Sequence, residues 1–181
     1  MGLANNRAEK TRRPRAVDRD RGLRLDLVIA RIIHVLAIVH WIGGVGFVTT
    51  ILIPAVRRTE PPERRLQTFL QFEKRFAPQA RASVALAGLS GLYLTGGVDA
   101  WSRFASPSFW WMHAMVGVWL VFAIMLFALE PFVLHRRLEH ASAAGASNAV
   151  FDRMERFHRV MLGLSLATIL GAVGGSHGLF A

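Results

Sequence analysis

Thirty residues from Leu25 to Pro54, LDLVIARIIHVLAIVHWIGGVGFVTTILIP, constrain this chain more than any other stretch. Crossing the hydrocarbon core of a bilayer takes roughly 20 apolar residues, so this run reads as a transmembrane helix. Its interior holds one Arg and two His. An ionisable group in hydrocarbon costs about 2.5 kcal/mol or more, and such groups turn toward a bundle interior, a partner or a ligand. Arg31, His34 and His40 are therefore the first candidates for function.

The rest of the chain repeats the pattern. Hydrophobic residues make up 52% of 181 positions and fall in blocks, which implies a small all-α integral membrane protein, a four-helix bundle. The absence of Cys excludes disulfides, thiolate metal sites, Cys-ligated iron–sulfur clusters and covalent c-type haem. A net charge of +10 would suggest nucleic acid in a soluble protein. Here the basic residues sit in the tail and between apolar blocks, where they meet anionic lipid headgroups, and no nucleic-acid partner is expected. Residues 1–24 form a basic arm, expected to be mostly disordered, too polar for a cleavable signal peptide.

The bundle occupies 25–181, with spans expected near 25–54, 80–98, 109–134 and 157–178. Between the first two, Leu66, Phe69, Leu70, Phe72 and Phe76 recur at helical spacing among charges, implying an interfacial amphipathic helix before Pro78. Span two carries small residues every fourth position at Ser83, Ala87, Gly91 and Thr95, and span four repeats this at Gly163, Ala167, Gly171 and Gly175. Such ridges let another backbone approach or leave a slot for something flat. Trp101, Trp110 and Trp111 fit an interfacial aromatic belt. The basic residues divide nine to twelve between the two faces, so they do not orient the chain.

With spans alternating in direction, His34, His113 and His177 fall in one half of the membrane, near Arg31. His135, His140 and His158 fall toward the other face, near Glu130, and His40 lies nearer the middle. His34 and His40 are six residues apart, about 600° along a helix, and face differently. Two imidazoles from different helices at similar depth are what a b-type haem needs for axial ligation, with an Arg to pair with a propionate. His34 with His113 is the preferred ligand pair, Arg31 the propionate partner and His177 the substitute ligand. A second haem would recruit His158 with His40 or His135. Met112, His113 and Met115 offer a weaker soft site for copper.

The chain resembles the four-helix membrane proteins that include the HemJ-type protoporphyrinogen oxidases and the CopD-type copper-resistance domains. The resemblance is carried by His34 followed by Trp41, Gly43 and Gly44 in HVLAIVHWIGG, by Trp111 and His113 in WMHAM, and by the order and lengths of the four spans. It implies a helical membrane bundle with haem b on His34, places His113 at a family His position, and adds Trp41 to the cofactor surroundings. The pattern departs at Met115, where HemJ-type enzymes carry Lys, and at ERFHRV, which replaces an Asn-Glu-x-Pro-like segment and introduces His158.

The resulting expectation is a multi-pass b-type haemoprotein of the bacterial inner membrane. It serves in electron transfer, or as an oxidoreductase acting on a membrane-associated substrate such as a porphyrinogen or quinol. Copper handling and a role as accessory subunit of a larger membrane complex are the alternatives, and homo-oligomerisation is left open.

Overall fold

The computed structural model describes residues 3–134 and 147–179, with side-chain surroundings over 22–129 and 148–179. His135 and His140 lie outside the described residues, as does the side chain of Glu130. Helix dominates, and no strand occurs among the described residues. Three helical stretches are long and apolar enough to cross a membrane: Gly22–Thr59, Pro107–Leu129 and Asn148–Ser176.

Helix α1 (Leu3–Phe47) passes through a π-helical turn at Val48–Leu52 into α2 (Ile53–Thr59). Its bounds take in the basic arm, where little regular structure was expected; Arg, Lys, Glu and Ala there are good helix formers. Pro54 has no N–H to return to the preceding turn, and a wider turn relieves the clash of its ring. The hydroxyls of Thr49 and Thr50 donate to the carbonyls of Val45 and Gly46, both at 2.7 Å, so polar backbone in this stretch is satisfied locally. The rod ends at Glu60, which is extended as the residue before a proline is obliged to be.

Helix α3 (Pro62–Gly97) starts with Pro at its first position and Glu63 in its first turn, both favourable at a helix N-terminus. The expected break at Pro78 does not occur: the interfacial segment and the second apolar block form one 36-residue helix. Burial of Phe69 and Ala77 before Pro78, and of Ala80 and Val84 after it, holds the two halves in line although one backbone bond is lost. It is about 54 Å long at 1.5 Å per residue, but it is not among the stretches apolar enough to cross a membrane, so three such helices stand where four spans were expected.

After Gly97 the chain reverses with Asp99 at φ +50°, a left-handed conformation that Asp tolerates better than most residues. Two 3₁₀ turns, Ala100–Ala105 and Pro107–Phe109, lead into α4 (Trp110–Ala123). This continues as a π-helical stretch, Ile124–Leu134, and α5 (Ser147–Ser176) follows.

Contacts between neighbours fix their directions. His34 meets Ala87 while Gly44 meets Phe76, so α1 and α3 run antiparallel. Trp119 meets Val84 while Arg81 meets Leu126, and α3 and α4 are antiparallel in turn. Helix α5 packs on α4 and α3. One core joins Ala37, Trp41, Ile42 and Val45 of α1 to Val84 and Ala87 of α3, Phe122 of α4 and Met161 of α5. A second, toward the α2 end, gathers Val48, Ile53, Val56, Phe69 and Phe151.

Three of the small-residue positions, Gly91, Gly171 and Gly175, lie against the protein's own rings, as does Gly88 beside the α3 ridge, while a Cβ at Gly163 would meet nothing within 4 Å. Gly88 seats the Trp119 indole, with 2.5 Å between its would-be Cβ and Cζ2, and Gly91 seats the His34 imidazole at 3.0 Å from Cε1. On α5, Gly171 lies under Trp110 and Gly175 under Trp111. Helix α3 thus admits rings from α1 and α4, and the α5 ridge admits two from α4.

Candidate functional site

Two polar features interrupt the apolar interior, one in each half of the helix assembly. The first is His34. Its ring lies half-buried between α1 and α3, with Nδ1 2.9 Å from the Ala87 carbonyl oxygen and 3.0 Å from Ser90 Oγ. A carbonyl only accepts, so Nδ1 carries the proton. The Ser90 hydroxyl donates to the Leu86 carbonyl at 2.5 Å, leaving its oxygen to share the imidazole N–H. In its neutral form the ring keeps its Nε2 lone pair, and its orientation is set from another helix. Gly91 makes the seat possible, because a side chain there would press on the imidazole.

The second feature is a half-open cleft of about 60 Å³ between α1, α3, α4 and α5. Aromatic and aliphatic side chains form nearly all of its wall, including Trp41, Val48, Phe69, Phe76, Phe122 and Met125; Glu73 and His158 also line it. His158 repeats the logic of His34 within one helix: Nδ1–H donates to the Met154 carbonyl at 2.9 Å, which leaves Nε2 as an acceptor. Phe69 and Phe157 hold the ring edge-on, at centroid distances of 5.7 and 6.0 Å. Trp41 is 5% exposed and packs edge-on against Phe122 at 4.9 Å, and its Nε1–H has no acceptor among the described residues. Trp111 Nε1 shares that condition.

The Trp41–Phe122 contact also relates the two preferred ligand residues. His34 lies seven residues before Trp41 and His113 nine before Phe122, on helices that run in the same direction. At 1.5 Å per residue they stand about 10 and 14 Å from that contact, at similar levels. Their surroundings differ: His113 is exposed and meets the Phe104 ring edge-on at 5.3 Å. Arg31 and His40 are exposed. His177, also exposed, donates from Nδ1 to the Val173 carbonyl at 2.8 Å. Met112 is buried beside exposed His113, so the two do not share a face, and Met115 is half-buried. Among the described residues no group of three or more His, Asp or Glu is gathered as a metal site.

Beyond the cleft, an ionic cluster ties α2 to α5. Glu155, 6% exposed, accepts from Arg57 and from Arg159, and Arg57 also reaches Asp152 at 2.5 Å while its guanidinium lies 5.3 Å from the Phe151 ring centre. Arg65 extends the junction through Asn148 at 3.3 Å. Sequence reasoning missed Arg57, Glu155, Glu73 and Ser90. The spacing Glu155-x-x-His158, two ionisable residues on one helix face, was the available signal for Glu155. Ser90 lies beside Gly91, off the period-four ridge, so neither its face nor its partner was marked.

Comparison with family models, with curated proteins and with solved structures returns no match for this chain. The functional reading accordingly rests on its own residues.

Proposed function

We propose that this chain is a four-span bundle of the bacterial inner membrane that holds a b-type haem on His34 and carries electrons between a membrane-soluble donor and an acceptor at one face. The observation that carries this reading is the seat of His34. Ligating histidines commonly donate their other ring N–H to a carbonyl or carboxylate, which fixes tautomer and ring orientation and raises ligand basicity. The Nδ1–H bond to Ala87 across the helix interface does this for His34. His113, at a similar level on α4, supplies the second imidazole, with His177 as substitute. Arg31, one turn before His34, pairs with a propionate at the surface, where a charge-assisted hydrogen bond forms readily.

When bound, the haem supplies a one-electron couple. The chain's residues do the rest: Ser90 and Ala87 hold the His34 proton on Nδ1, and the apolar walls keep water from the ligand face. Oxidation of a porphyrinogen, as the HemJ resemblance implies, is the enzymatic form of the same arrangement. Copper handling draws less support, since Met112 and His113 lie on different faces.

The test is a reduced-minus-oxidised visible spectrum with a pyridine haemochrome assay on detergent-purified protein made with ample haem. A Soret band and b-type bands are expected, with loss of the Soret band in His34→Ala. Full haem retention by that variant overturns the ligand assignment. A featureless spectrum from folded protein overturns the haem reading, leaving copper, if stoichiometric, or an accessory role, if a large partner co-purifies.

A further inference from the structure

We propose that two copies of this chain pair through the outward face of α1, with the His40 rings of the two copies hydrogen-bonded to each other at the middle of the membrane. The inference needs only the first membrane-crossing helix and stands apart from the haem reading.

The crossing stretch that contains α1, Gly22–Thr59, has its midpoint at His40. Ala37 and Trp41 on either side of it belong to the core, whereas His40 is exposed and has no hydrogen bond, ion pair or ring contact among the described residues. At that depth the outer surface of the protein meets hydrocarbon, and ionisable groups within a span almost always face a bundle interior or pair with one another. An acyl chain offers this ring neither a donor nor an acceptor. In its neutral form an imidazole carries one of each, so it complements a second imidazole of the same kind. Copies in one membrane share an orientation. Two α1 helices that face each other therefore run parallel and bring the two His40 rings to one level, about a two-fold axis along the membrane normal.

The residues around His40 have the spacing of such a seam. Ile29, Ile33, Leu36, His40, Gly43 and Phe47 follow at alternating intervals of four and three residues, the 3.5-residue repeat of a left-handed helix pair, and all six are exposed. A single polar residue within an apolar seam specifies register and partner number. Gly43, the next seam position after His40, has nothing within 4 Å of the place a Cβ would take, whereas at adjacent Gly44 the Phe76 ring fills that place. Glycine in mid-helix is unfavourable by itself, and its use here is the close approach of a second backbone. On α4, His113 and Gly117 are exposed too, but His113 stands in the first turn of its helix and meets the Phe104 ring edge-on.

Because the chain has no Cys, single substitutions report contacts without background. Full-length protein carrying Leu36→Cys or Gly43→Cys, oxidised with copper phenanthroline in the membranes of the expressing cells, is expected to give a disulfide-linked species of twice the chain mass. Leu170→Cys on α5 is expected to give none, although Leu170 is the more exposed, 73% against 63% for Leu36. In detergent, dimerisation followed by sedimentation equilibrium is expected to weaken about fivefold in His40→Leu, through loss of an interhelical hydrogen bond, and at least about tenfold in Gly43→Ile, through bulk at the contact. His40→Asn, which again carries a donor and an acceptor, is expected to restore pairing. Circular dichroism checks that each variant keeps its helix. A monomer in membranes and detergent alike, equal cross-linking at Leu170→Cys, or unchanged dimer strength in folded His40→Leu and Gly43→Ile overturns the proposal. A cross-linked product of another mass assigns the face to a different protein and overturns it too. Haem measured on the same samples separates the two readings: a haem-free dimer keeps this interface and refutes the haem, and a haem-bearing monomer does the reverse.

Discussion

Replacing Gly88 with Ala tests whether α3 needs a glycine there to seat Trp119. A Cβ at Gly88 would stand 2.5 Å from Cζ2, 2.6 Å from Cε2 and 2.8 Å from Nε1 of that indole, closer than real Cβ contacts come. The obstacle is a ring rather than the free end of a flexible chain, so the whole indole must move. Moving it breaks the 2.8 Å bond from Nε1–H to the Val84 carbonyl and disturbs the core around Trp41 and Phe122 that Trp119 packs against. Overpacking costs about 1–3 kcal/mol, and an interhelical hydrogen bond in a membrane protein contributes about 0.6–2 kcal/mol. Helix propensity works the other way by about 1 kcal/mol, since Ala is the better helix former. The net expectation is a loss of about 2 kcal/mol. Gly117→Ala is the control: nothing lies within 4 Å of its would-be Cβ, so only the propensity gain applies. Unfolding in mixed micelles by increasing SDS fraction, followed by far-ultraviolet circular dichroism, measures both. A difference of about 3 kcal/mol between the two variants is expected. If Gly88→Ala is as stable as Gly117→Ala, the reasoning from ring seats is refuted.

The unpartnered indole N–H gives a second comparison. Trp119→Phe loses a hydrogen bond and ring volume while Trp41→Phe loses volume alone, so in the same SDS titration Trp119→Phe is the more destabilised, by about 1 kcal/mol. Glu155→Gln removes the charge that both Arg57 and Arg159 address; because the Arg side chains are 38% and 66% exposed, solvent screening limits the loss to about 1–2 kcal/mol, and a larger loss refutes that discount. Arg81→Met deprives the Leu126 carbonyl, inside the wide π-helical stretch, of a donor at 3.0 Å. A stability loss of about 1 kcal/mol and faster amide exchange after Ala123 are expected, and unchanged exchange there argues against that support.

The long apolar runs led to an expectation of four spans, and three helices are long and apolar enough to cross a membrane, the block near 80–98 not being among them; the period-four small residues marked faces where some rings come close. What those faces receive was not legible. Gly91 and Ser90 meet His34 from more than fifty residues away, and no local pattern encodes a pairing at that distance. Pro78 misled in an instructive way: proline breaks a helix where nothing else holds it, and α3 is held on both sides by buried Phe69, Ala77, Ala80 and Val84. The second block reads as less apolar because it bears Arg81, Ser83 and Ser90, and these are the polar groups that bond to neighbouring backbone or to His34. His34 was singled out as a candidate haem ligand; the structure shows its Nδ1 bonded to Ala87 and Ser90 of α3, a pairing that sets the ring without reference to any ligand.

The wide turn at Val48–Leu52 makes the chain unequally tolerant of lost residues. In a π-helical turn each bonded N–H reaches back five residues rather than four, so the turn holds one residue more than an α-helical turn does. Deleting Thr50 can be absorbed by tightening that turn, with Trp41 and Val45 upstream and Ile53, Val56 and Arg57 downstream keeping their directions. Deleting Ile38 has no such slack to draw on. Every residue on one side of the gap then rotates by about 100°, carrying Trp41 out of the core or His34 off its seat on α3. The surplus residue marks a place in the first rod where the protein's length can change while its inward face does not.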